Sequence, residues 1–147
     1  MPGGTPITRS SAQCPVLLLL EPLPPFSGIH FVGVSESTPV PAHVDYVEST
    51  GFATTVRLGA TQAGTIEHLM SAIHAYGISN LLIKCNGEVP VMDGSARDFC
   101  LLFEDVGLED QGEDWFEIAV DSVIRVGNDR EFIQIEPADD FTIDYTD

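Results

Sequence analysis

The chain has 147 residues and a mass of 15.9 kDa, room for one ordinary domain or slightly more. With 44% hydrophobic and 20% charged residues it can bury a core, which excludes global disorder. Six basic residues against 23 acidic ones give a net charge of −17, which argues against a nucleic acid or an anionic membrane as partner.

The acids are unevenly spread. Residues 104–147 carry 15 of the 23, with two of the six bases, so this stretch is expected to be strongly solvated and to differ in role from the rest. Cys14, Cys85 and Cys100 form neither an even set nor a CxxC motif. That speaks against a disulfide scaffold and for a reducing, cytoplasmic location. No unbroken apolar run is longer than the five residues of Val16–Leu20, far short of a membrane span, and no small-residue cleavage site follows that run.

In chain order, residues 1–14 are rich in Gly, Pro, Ser and Thr and are expected to be loose. Pro15–Leu20 reads as a short buried strand, Glu21–Ser27 with its three prolines as a turn, and Gly28–Val34 as a second strand. Val40–Val47 and Phe52–Leu58 read as extended segments. Thr65–Tyr76 carries the clearest helical pattern: Ile66, Leu69, Met70 and Ile73 form one apolar stripe. Thr65 is placed to cap its start and Gly77 to end it in a left-handed turn.

Leu81–Cys85 follows as a strand, and Glu88–Asp93 as a connection containing Pro90. Ser95 is placed to cap a second helix whose stripe is Phe99, Leu102, Phe103 and Val106, with Gly107 at its end and Asp98 in a capping-box position. After the acidic linker 111–114 the period changes to two. Phe116, Ile118 and Val120 suggest one strand, Ile133 and Ile135 a second beyond a turn at 127–129, and Phe141, Ile143 and Tyr145 a third. Three strands in about thirty residues cannot enclose a core, since pieces below ~40 residues rarely fold alone. The expected organisation is therefore a complete first domain over 1–112 and the incomplete start of a second over 113–147. The fold class is α+β, a two-layer sandwich of a mainly antiparallel sheet on helices.

Two clusters could carry chemistry. Glu67 and His68 lie in the first turn of the best helix, off its apolar stripe. The field of a helix N-terminus favours an ionised carboxylate, as a general base requires, and a neutral imidazole, as a metal ligand requires. Taken alone, an adjacent Glu–His pair is a weak signal and reads rather as a dipole-complementing surface acid beside a surface histidine. His74 is no partner for His68, because a zinc-binding helical pair needs a spacing of four. His30 and His43 read as structural. Met92–Asp93–Gly94–Ser95 reads either as turn chemistry or as a support for a nearby site. Cys85 and Cys100 read as small core residues.

The run Gly64-Thr-Ile-Glu-His-Leu-Met-Ser-Ala-Ile-His-Ala-Tyr-Gly-Ile-Ser-Asn80 closely resembles the signature helix of the UDP-3-O-acyl-N-acetylglucosamine deacetylase family, the zinc enzymes of lipid A synthesis. The likeness continues through Leu81-Leu-Ile-Lys-Cys-Asn86 and Glu88-Val-Pro-Val-Met-Asp-Gly-Ser-Ala96, and upstream through Pro41-Ala-His-Val and Phe52-Ala-Thr-Thr55. Glu131–Thr146 resembles the opening strands of the family's second domain. The resemblance covers roughly residues 19–146.

It implies two α+β domains with the active site between them. It implies that Glu67 is the general base, that His68 is a zinc ligand, that Asp93 supports the site, and that Phe52 and Ala53 lie on the loop touching a UDP-linked, acylated glucosamine. It also implies that the other two zinc ligands belong to a later His-rich motif of the second domain, past residue 147. The zinc site is thus expected to be incomplete in this chain, and the chain inactive by itself. Two features depart from the family: Met1–Ser11 does not read like its Gly-rich opening, and Ala53 stands where a Cys is common. The competing expectation is a non-catalytic binding or structural module with the same fold. An acidic interaction protein has only the charge behind it. Pairing with another chain through an open sheet edge is a further expectation.

Overall fold

A computed structural model describes residues 6–11, 14–114 and 118–146, and its described side chains begin at Leu18. It divides into two compact units at Glu113/Asp114. No described helix is long and apolar enough to cross a membrane.

The first unit is built on a five-stranded sheet in the order β1-β2-β8-β3-β4. Its members are β1 (Pro6–Ser11), β2 (Cys14–Pro22), β3 (Ile29–Gly33), β4 (Val40–Pro41) and β8 (Leu81–Cys85). β8 lies at the centre, antiparallel to β2 and parallel to β3; every other pairing is antiparallel. Lys84 reaches across from β8 to Glu21 of β2, with Nζ–Oε1 at 2.8 Å. A second, three-stranded sheet joins β5 (Val47–Ser49), β6 (Thr55–Leu58) and β7 (Thr61–Ala63).

The helices are α1 (Glu67–Ala75) and α2 (Arg97–Val106). They cover one face of the large sheet. Leu81, Ile83 and Cys85 alternate into the core with period two, where they join Leu18 and Phe31 from neighbouring strands. From the helices come Leu69, Ala72 and Ile73 of α1 and Phe99 and Phe103 of α2. Phe99 is wholly buried, so truncating it to Ala would cost about 3–5 kcal/mol. The architecture is the expected α+β sandwich with a mainly antiparallel sheet.

Several element ends differ from the sequence reading. Pro6–Ser11 is a paired strand where a loose lead-in was expected. Residues 44–46 form a 3₁₀ turn instead of extended chain, because the His43 ring accepts a hydrogen bond from the Asp45 amide at 3.2 Å. The strand expected over Phe52–Leu58 starts only at Thr55. Thr65 does not cap α1: it lies at φ 55°, and Ile66 occupies the cap position without a side-chain bond. At the other end Gly77, at φ 64°, closes the helix as expected. Its amide binds the His74 carbonyl and that of Ile78 the Ile73 carbonyl. Ser95 sits one residue before the cap of α2, where its Oγ accepts from the Arg97 amide at 3.2 Å. Val106, assigned to the buried stripe of α2, is half exposed.

The second unit is a hairpin of β9 (Ile124–Gly127) and β10 (Phe132–Ile135). The Asn128 amide binds the Glu131 carbonyl at 2.8 Å, and Asn128 Oδ1 accepts from the Arg130 and Glu131 amides. The Arg125 guanidinium lies 3.6 Å from the centre of the Phe132 ring. β9 was not anticipated. Ile118–Val120 and Phe141–Tyr145, read as strands, are not strands, and Phe116 lies outside the described residues. The pairing expected at an open sheet edge finds no support: the last expected strand, Phe141–Tyr145, does not form.

Candidate active site

Glu67 and His68 open α1, and the surrounding chain fixes where that opening sits. Just before it, Gly64 is buried and forms a parallel bridge with Glu88. The Gly64 amide binds the Gly87 carbonyl and the Val89 amide binds the Gly64 carbonyl, both at 2.9 Å. A Cβ on Gly64 would stand 3.3 Å from Thr55 Oγ1, a tight contact that suits glycine. The start of the helix is thereby tied to the segment that follows β8.

A second tie comes from the segment before β6. The Thr54 carbonyl accepts from the Ile66 amide at 3.4 Å, and the Thr54 amide donates to the Glu67 carboxylate. Partial burial pulls the Glu67 pKa upward. The hydrogen bonds from Thr54, from the first-turn backbone and the charge of nearby His68 outweigh it and hold the carboxyl below the ordinary value of 4.5. Glu67 is exposed and ionised at neutral pH, as a proton acceptor must be; His68, half-buried, stands beside it in sequence.

Phe52 and Ala53 immediately precede Thr54, so the Glu67 contact brings their loop to the helix start. The Phe52 side chain is fully exposed and Ala53 half-buried. Asp93 belongs to a turn in which Met92 has φ 57°. Its Oδ1 accepts from the Ser95 amide at 2.9 Å and the Ser95 hydroxyl at 2.8 Å, and these bonds lower its pKa. The described partners of Asp93 are thus those of the turn reading. His30 binds the Ser27 carbonyl at 2.8 Å, and Cys85 is a buried core thiol whose pKa burial raises.

A groove of about 470 Å³ runs past Leu20, Tyr76, Asn80, Leu102 and Leu108, at the opposite end of α1, and includes neither Glu67 nor His68. Among the described residues no three His, Cys, Asp or Glu side chains come together to hold a metal ion. A catalytic zinc ordinarily takes three protein ligands and keeps a position open. The described residues therefore do not by themselves fit a zinc site. Two participants escaped the sequence reading. The Thr54 amide carries no side-chain signal, and Glu88 stood inside a quoted motif as an unremarkable connector.

The profile of UDP-3-O-acyl N-acetylglycosamine deacetylase matches residues 11–147. The chain belongs to this deacetylase family. Among its curated relatives, the UDP-3-O-acyl-N-acetylglucosamine deacetylases of Helicobacter hepaticus and Wolinella succinogenes are each 39% identical over 136 residues, which is 89% of this chain and 46% of theirs. That of Myxococcus xanthus is 37% identical over 134 residues, 89% of this chain and 43% of its own. These deacetylases are hydrolases, and the chain spans a little under half their length.

Proposed function

We propose that this chain supplies the amino-terminal half of the active site of a UDP-3-O-acyl-N-acetylglucosamine deacetylase acting in the cytosol on the route to lipid A. The observation that carries the reading is the Glu67 carboxylate: exposed, ionised, fixed by the Thr54 amide and adjacent to His68. Glu67 accepts a proton from the water that attacks the N-acetyl carbonyl carbon. The amide C–N bond then breaks, a proton passes to the departing nitrogen, and acetate and a free glucosamine amine result. His68 is the one zinc ligand we assign within this chain, and the other ligands are assigned to the part of the enzyme it does not include. The loop at Phe52 and Ala53 meets the sugar, and Asp93 stiffens the turn leading into α2.

Alone, the 147-residue chain is proposed to be inactive. The test is Glu67→Gln in a catalytically competent polypeptide carrying this chain. A loss of kcat of about 10²–10⁴-fold is expected for removal of a general base. Turnover at the parent rate would remove Glu67 from the mechanism, and failure of every longer polypeptide carrying this chain to deacetylate the substrate would favour the non-catalytic module.

A further inference from the structure

Thr65 stands in the one backbone conformation at this helix start that its side chain opposes. Its φ of 55° is left-handed, a region β-branched residues avoid and glycine enters freely. The glycine of the Gly64–Thr65 pair is one position earlier, where an added Cβ would crowd the Thr55 hydroxyl. What Thr65 has and a glycine lacks is a hydroxyl, and that hydroxyl donates to Glu88 Oε1 at 2.8 Å. Glu88 is also the bridge partner of Gly64, so a side-chain bond and a backbone bridge tie Gly64–Thr65 to the same segment, residues 87–89. The clamp sits two residues before Glu67, on the peptide whose next amide, that of Ile66, binds the Thr54 carbonyl.

We propose that Thr65 and Glu88 are a positioning pair that holds the first turn of α1 so that the Glu67 carboxylate meets the Thr54 amide. The proposal rests on Glu67 being the base, but its geometry is measurable without turnover. Strain at functional positions persists where surrounding contacts over-determine it. Here the two Gly64 backbone bonds supply the restraint, and the Thr65–Glu88 bond sets the angle at which the helix leaves it.

The test compares Thr65→Gly, Thr65→Ser, Glu88→Ala and Glu88→Gln in the whole chain by amide hydrogen exchange. Thr65→Gly and Glu88→Ala are expected to speed exchange of the Thr54 amide by about tenfold or more while leaving the Leu69 amide and the thermal midpoint near the parent values. Ser and Gln keep a donor and an acceptor and are expected to restore slow exchange. A purely structural role predicts the opposite for Thr65→Gly, which relieves strain and should tighten the turn. Thr54 exchange unchanged in Thr65→Gly and Glu88→Ala, or equal in Glu88→Gln and Glu88→Ala, overturns the proposal. If Thr65→Gly does not fold, the two Glu88 variants decide. An active Glu67→Gln enzyme, by contrast, would discredit the base and leave this contact standing.

Discussion

The backbone amide of Thr54 donates to the carboxylate of Glu67, thirteen residues away. Through it the loop carrying Phe52 and Ala53 and the first turn of α1 form one surface.

That contact makes a prediction about ionisation. Following the Glu67 carboxyl carbon by NMR against pH should give a midpoint below 4.5. Thr54→Val, which keeps the amide but removes the hydroxyl, should move the midpoint up part of the way. Because the folded pKa is depressed, this contact's contribution to stability is complete above the unfolded value and is lost as pH falls through the lower folded one. A Glu67 midpoint above 4.5 would contradict the geometry.

Tyr76 titrates at the opposite extreme. Its hydroxyl donates to Glu104 Oε1 at 2.6 Å, which joins α1 to α2, and the bond to this carboxylate pushes the phenol up to about 12. Ultraviolet difference titration should show one of the three tyrosines ionising about there. Glu104→Gln should bring it back toward the ordinary value of 10. The sign is reversed relative to Glu67: the contribution is complete below the unfolded pKa and disappears as pH rises through about 12.

Gly127 ends β9 at φ 128°, and a Cβ there would stand 2.7 Å from Phe132 Cα. Gly127→Ala should cost the hairpin about 1–3 kcal/mol or more, enough to abolish a two-stranded element. Cross-strand proton contacts between Ile124 and Ile135 should vanish, while those between Leu20 and Ile83 in the first unit persist. Retention of both sets would refute the assigned turn.

Zinc affinity gives a further measurement. A chain offering His68 without two companions should hold zinc weakly. Equilibrium dialysis at neutral pH should show no stoichiometric binding in the submicromolar range. Tight binding would mean that the missing ligands are already present, and the half-site reading would fail.

The parts legible in the sequence are those where side-chain pattern and burial coincide. Leu81–Cys85 was readable to the residue because its alternation is the core's own. The stripe of α1 was readable because Ile66, Leu69 and Ile73 do face the core. The start of that helix was misread. Thr65 looks like a cap, yet its hydroxyl is committed to Glu88 and its backbone is left-handed. β9 escaped because Ile124, Arg125 and Val126 are all exposed, so no buried face imposes period two. The family motifs pointed to Glu67 and His68. What holds Glu67 is a backbone N–H, which leaves no trace in residue identity.

The central place of β8 bears on how the molecule is made. Its partners β2 and β3 precede it by some fifty to seventy residues, and the Glu21–Lys84 contact spans 63. Such distant closures slow folding. During synthesis, the segment around Leu18 has only β1 beside it on the ribosome until Cys85 has emerged. For that interval a greasy strand is available to chaperones, or to other nascent chains.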